Sequence, residues 1–162
     1  MKCLQCGGEM TSQREDVEYG DAGIPNVTLL GIIVDRCSQC GASEIVIPRI
    51  EELHRTIAFA VVLHRERLSG IEVKFLRKCL GYSARDFAET IGVTPETVSR
   101  WENNKETVSV PIDHLIRLMV LRQAPIDTYP TSKLAEVAKE PPRTPRIHAR
   151  SVNDTWEARA VA

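Results

Sequence analysis

Four of the five cysteines fall in two matched pairs, Cys3-Leu4-Gln5-Cys6 and Cys37-Ser38-Gln39-Cys40, and each pair is followed by a glycine. A Cys-x-x-Cys turn brings two sulfurs to one side of the chain, and two such turns supply the four thiolates of a tetrahedral metal site. Zn²⁺ is the expected ion; iron in a four-sulfur site is the alternative, and the donor set alone does not choose between them. Four thiolates leave no open position for water, so the expected site is structural and not hydrolytic. Four unrelated thiols or a redox pair are the competing readings. A cytoplasmic location is expected, and in a reducing compartment paired cysteines point to metal before disulfides.

A second set of chemistry-bearing residues lies within 81–104, GYSARDFAETIGVTPETVSRWENN. Ser83 can cap a short helix whose third position, Asp86, offers a carboxylate to the exposed amides, with Phe87, Ala88 and Ile91 on one face. Gly92 ends it, since glycine enters the left-handed region without steric cost. Thr94 then caps a second helix with Pro95 at its first position. Val98 and Trp101 share one face of that helix, and Glu96, Thr97 and Arg100 point away from it. The spacing predicts a helix-turn-helix whose outward face suits a DNA major groove. Arg100 can bond guanine O6 and N7 at once, Thr97 can meet a thymine methyl or a phosphate, and Lys105 and Lys74 are candidates for phosphate contacts. Ser83 and Arg85 sit at the positive end of a helix dipole, where phosphates are favoured. Outside such a motif, an exposed arginine is an ordinary solvated group.

The elements that must position these residues follow from pattern. The 162 residues, 43% hydrophobic, suffice for one or two small domains. No apolar run reaches the ~18 residues of a membrane span, and no signal-peptide core follows Met1. Residues 1–48 are expected to form a small zinc-bound antiparallel β domain: Val17 to Tyr19 and Val27 to Arg36 are rich in β-branched and aromatic residues, turn formers separate them, and Ser43 to Ile47 is a candidate last strand. A domain this small is expected to need its metal to fold. Pro48 opens a linking helix over 49–68, with Ile50, Leu53, Ile57 and Val61 in one stripe. His54 and His64 are read as solvated or packing residues.

Residues 69–122 complete an all-α five-helix domain. Ser69 and Glu72 form a capping box, Ile71, Phe75, Leu76 and Cys79 give a buried face, and Pro111 begins a last apolar helix. Cys79 reads as a small buried hydrophobe. The tail, 123–162, is broken by prolines, so it is expected to be disordered or an arm on a partner, with only Lys133 to Lys139 able to form a short helix. Charge is uneven: residues 1–48 hold three basic against seven acidic side chains, and residues 69–122 hold eight against seven. DNA binding would therefore rest on local charge placement and not on a bulk positive field.

With these residues in order, the chain resembles the MqsA/YgiT-type antitoxin family over about residues 1–122. In that family an N-terminal zinc domain with two Cys-x-x-Cys pairs precedes a helix-turn-helix of the phage-repressor (XRE) type. The resemblance implies an α+β protein with structural Zn²⁺ on Cys3, Cys6, Cys37 and Cys40. It further implies a homodimer that binds a palindromic double-stranded operator, pairs with a toxin protein and represses its own operon. It places Arg100 as the base-reading arginine, and Arg77 and Glu102 as a buried salt bridge joining the first and third helices. Two positions depart from the family pattern: Glu96 stands where a base-reading asparagine is usual, and Ala84 stands where many relatives place a phosphate-binding glutamine. A stand-alone prophage or mobile-element transcription factor and a zinc-stabilised protein-interaction adaptor are the alternatives. No Ser/His/Asp arrangement, phosphate loop or open metal site points to an enzyme.

Overall fold

The computed structural model describes residues 1–123, 142 and 144–161. Three strands come first, β1 (Met10–Glu18), β2 (Val27–Cys37) and β3 (Ser43–Ile45), then five helices, α1 (Ile50–Leu63), α2 (Gly70–Cys79), α3 (Ala84–Ile91), α4 (Pro95–Glu102) and α5 (Val110–Arg122). Two further strands close the chain, β4 (Arg146–Val152) and β5 (Thr155–Val161). The architecture is α+β, as the pattern predicts. No described helix is long and apolar enough to cross a membrane.

The sheet is built on β2. β1 pairs with it antiparallel along most of its length, and a register shift between Glu15 and Val17 marks a bulge. On its other edge β2 meets β3 antiparallel at Val34 to Arg36, and β4 in parallel at Val27 to Leu30. β4 turns back into β5 through Asn153 and Asp154, both with positive φ (51° and 59°), the geometry of a two-residue hairpin turn.

This hairpin corrects the expectation for the tail: residues 146–161 form two strands of the same sheet as β1 to β3. The prolines drew the reading away from a period-2 alternation in which Ile147, Ala149 and Trp156 are buried while Arg146, Arg150 and Glu157 are exposed. The candidate helix from Lys133 to Lys139 lies outside the described residues.

α1 is the spine of the molecule. Leu53, Ile57, Ala58, Ala60, Val61 and Val62 are all buried. They belong to one hydrophobic cluster that runs from Tyr19, Val27 and Leu29 in the sheet, through Phe75 and Leu76 in α2, to Ile116 in α5, and includes Ile147 and Trp156 of the hairpin. The apolar run of α1 touches both halves because both need it to bury their inner faces. α1 is shorter than the expected 49–68. It begins after Arg49, whose φ of 49° is left-handed, and it ends at Leu63, after which His64 is extended.

Hydrogen bonds hold the hairpin to the entry of α1. Trp156 Nε1–H donates to the Pro48 carbonyl at 2.7 Å, and the Arg49 guanidinium donates to the Asp154 carbonyl at 2.7 Å.

Candidate metal centre and helix-turn-helix

The pairing of Met10 with Cys37 in the β1–β2 register puts the chain entering β1 beside the chain leaving β2. The two knuckles therefore meet at one end of the sheet. They have the same local geometry: Gly7 N–H bonds the Cys3 carbonyl at 2.9 Å, and Gly41 N–H bonds the Cys37 carbonyl at 3.1 Å. Gly7 and Gly41 both have φ of 74°, a conformation that explains glycine after each pair.

All four Sγ atoms lie within 4.8 Å of one another. Cys3 and Cys40 sulfurs are 3.6 Å apart, and Cys6 and Cys37 sulfurs 3.4 Å. A tetrahedron with metal–sulfur bonds of ~2.3 Å has edges of about 3.8 Å, between the shortest sulfur separations and the 4.8 Å limit, so the donors fit a four-coordinate ion after small adjustments. The amides of Cys40 and Gln39 pull the Cys37 thiol down to about 6. At Cys6 the Gly8 amide acts the same way, but hydrogen bonds from the Cys37 and Cys40 sulfurs outweigh it and push the thiol up to about 12. A metal binding here would displace the remaining thiol protons. The apolar cluster around the knuckles contains only Cys3, Met10 and Cys37, with Ala42 against it. The four cysteines are thus close enough together to hold a metal ion.

The second candidate site is the α3–α4 unit. Ser83 caps α3, accepting from Asp86 N–H at 3.1 Å and donating to its carboxylate at 2.6 Å. Gly92 closes α3 with φ of 75°. Thr94 caps α4, accepting from Thr97 N–H at 3.3 Å, with its hydroxyl 3.1 Å from that of Thr97. The hydroxyls of Ser83, Thr94 and Thr97 are therefore engaged locally. Glu96 is engaged too: its own amide and the Thr94 hydroxyl hold its carboxyl below the usual range.

Arg85, Arg100 and Lys105 are exposed. Arg100 lies 3.5 Å from Glu106 with both side chains about half exposed, 56% and 48%, a loose pair that leaves the guanidinium free to reorient. Lys74 is exposed on α2.

Below this surface α4 is locked in place. Val98 and Trp101 are buried, and Arg77 grips Glu102 through Nε at 2.6 Å and a second nitrogen at 3.2 Å, while its third nitrogen holds the Tyr82 carbonyl at 2.7 Å. Gly70, at the start of α2, donates to Asn104 Oδ1 at 2.9 Å. A Cβ there would lie 2.1 Å from the Trp101 carbonyl oxygen, so only glycine permits this approach of α4 to α2.

A polar cluster that sequence reasoning missed joins the two halves. Arg117 of α5 is fully buried and donates to Asp113 Oδ1 at 2.7 Å and to the carbonyls of Val62, His64 and Glu66 at 2.7, 2.8 and 2.6 Å. These carbonyls lie at and just beyond the C-terminus of α1, where a cation is favoured. Glu72, also fully buried, accepts from Ser69 N–H and Ser69 Oγ, both at 2.7 Å, which is the expected capping-box contact, and lies 2.9 Å from His64 Nε2. His64 is thus buried and paired with a carboxylate. The available signal was an i, i+4 Asp/Arg pair inside an otherwise apolar helix.

The sequence model of the family described as the antitoxin component of bacterial toxin–antitoxin system, MqsA, matches residues 1–126. The chain belongs to this antitoxin family. The match covers both knuckles, the helix-turn-helix and all of α1 to α5, and it stops before the β4–β5 hairpin. No curated protein is similar enough to the chain to be matched.

Proposed function

We propose that this MqsA-family chain is a Zn²⁺-stabilised antitoxin that binds its own operator as a homodimer, represses its operon and captures a toxin protein. The observation that carries the DNA reading is the two-sidedness of α4, which buries Val98 and Trp101 and leaves Arg100 exposed at the end of a fixed helix. A guanidinium held this way can read a guanine edge, while Arg85, Lys105 and the α3 N-terminus meet phosphates. Ser83, Thr94 and Thr97 act mainly by shaping the caps, and Glu96, already satisfied by its neighbours, biases the groove contact toward cytosine or adenine amino groups.

Two-fold symmetry would set a recognition helix in successive major grooves about 34 Å apart. The acidic excess of residues 1–48 favours a basic toxin, and exposed Ile33, Ile45 and Val46 on that half offer apolar area for it.

Arg100→Ala should weaken binding to a cognate operator by roughly 1–3 kcal/mol and relax preference at one base position, with the fold retained. Unchanged affinity and sequence preference in a gel-shift or anisotropy titration would remove Arg100 from this role. Co-purification with the product of the adjacent reading frame tests the toxin partnership.

A further inference from the structure

A cleft of about 490 Å³ opens where the two halves meet, with the turn after β1 as one wall and α1, α2 and the end of α5 as the others. Its shape is set by contacts within the chain. Tyr19, 6% exposed, holds its hydroxyl 3.0 Å from His54 Nε2 and stacks on that ring, which ties the end of the strand to α1. Gly23 N–H closes the turn on the Gly20 carbonyl at 3.1 Å. The floor is apolar: Ala58, Phe75 and Val120, one from each helix, belong to the main core. A pre-formed apolar floor under a few polar groups is the usual build of a small-molecule site.

The rim carries both signs of charge. Asp21 lies on the turn and Glu51 in the first turn of α1, whereas Arg55 follows one turn further along α1 and Lys78 lies in the last turn of α2. All four are exposed, and none has an ion-pair partner among the described residues. Glu51 and Arg55 stand at i, i+4, the spacing at which opposite charges on a helix meet, yet no ion pair joins them. Two unpaired acids and two unpaired bases around an apolar floor complement a molecule with one charge of each sign beside an apolar body. A purely apolar guest would leave the rim charges unanswered, and a bare ion would leave the floor wet.

We propose that this cleft binds a free α-amino acid with an apolar side chain: its ammonium meets Asp21 and Glu51, its carboxylate meets Arg55 and Lys78, and its side chain lies on Ala58, Phe75 and Val120. Because both halves wall the cleft, the bound amino acid ties the sheet turn to α2 and α5 and stabilises the folded chain. No residue of α3, α4 or the knuckles lines it, so the site rests on neither the DNA-binding nor the metal reading.

Calorimetric titration of L-leucine, L-methionine and L-phenylalanine into the metal-loaded full chain tests it. At least one of them should bind saturably, at one site per chain, and raise the melting temperature by mass action. Removing either charge from the ligand should weaken binding roughly tenfold or more, because one charge-assisted contact is lost; for phenylalanine the two analogues are hydrocinnamate and phenethylamine. Lys78→Glu and Asp21→Lys, both at exposed positions, should each weaken the amino acid by a similar factor. Far-UV circular dichroism verifies that the variants are folded; where one is not, Lys78→Ala or Asp21→Ala, expected to weaken binding roughly fivefold, replaces it. Saturating amino acid should also slow alkylation of Cys79, which lines the same cleft, severalfold. No saturable binding by any of the three, analogues that bind as tightly as the amino acid, variants that match the wild type, or an unchanged Cys79 rate at saturation would each overturn the proposal.

Discussion

Arg117 and Asp113 show how much a single buried pair can be asked to do. The guanidinium closes the C-terminus of α1 from α5, and Asp113 both neutralises it and accepts Leu68 N–H at 2.7 Å. Removing one partner leaves the other charge buried and unpaired, which costs more than the pair itself contributes. Asp113→Ala should therefore destabilise the protein by about 3–5 kcal/mol in urea titrations, whereas Asp113→Leu with Arg117→Leu should recover part of that loss. Cys79 makes the opposite point, because burial pushes its thiol up to about 11 and leaves it inert. At about pH 8 only about one molecule in a thousand carries the thiolate, so Cys79 in the metal-loaded protein should alkylate far more slowly than in denatured protein. The same shift means that stability falls as pH rises from about 9, the ordinary thiol value, through about 11, since only the unfolded thiol ionises freely in that window. An iodoacetamide time course read by mass spectrometry checks the first claim, and urea titrations at pH values below and within that window check the second.

At the scale of elements, the knuckles and the sheet they decorate have different sources of cohesion. The knuckle end has a minimal apolar cluster, while Val27, Leu29, Ile32 and Val34 of β2 share the main core with α1. Chelating the metal should consequently loosen residues 1–9 and 37–44 without unfolding the rest of the sheet. Hydrogen exchange should show lost protection at the Cys3, Gly7, Cys37 and Gly41 amides and retained protection at Ile147, whose amide bond lies at the far end of β2. Global unfolding on chelation would show that the metal and not α1 organises the sheet. Tyr19, Ile24, Val27, Leu29, Ile32 and Val34 of the N-terminal part share one apolar cluster with α1 and the hairpin.

For the whole molecule, the continuous cluster through α1 and the Arg117 cluster predict one cooperative unit. The two tryptophans report on opposite halves, Trp101 on the buried face of α4 and Trp156 against Pro48. In urea, fluorescence of Trp156→Phe, which follows Trp101 alone, should coincide with far-UV circular dichroism of the same variant. Separate midpoints would mean two independent domains.

The local elements were legible because they obey short-range rules: both knuckle turns, the Ser83 and Thr94 caps, Gly92 and the apolar faces of α3 and α4 are each specified within a few residues of themselves. The clustering of the four cysteines was legible because two Cys-x-x-Cys turns of matching spacing converge readily on one centre. Arg77 with Glu102 came from the family resemblance, and the structure places them 2.6 Å apart. What no local rule could supply was long-range: that Arg146–Val152 would lie parallel to β2, that Trp156 would seat on Pro48, and that Arg117 would close a helix some fifty residues earlier in the chain. Those contacts depend on which surfaces remain uncovered once α1 has packed. The sequence by itself therefore determined the two features this antitoxin-family chain is built on, a four-cysteine cluster and a helix-turn-helix. Tertiary structure decided that they share one core, because α1 buries residues of the sheet, the hairpin, α2 and α5 in a single apolar cluster.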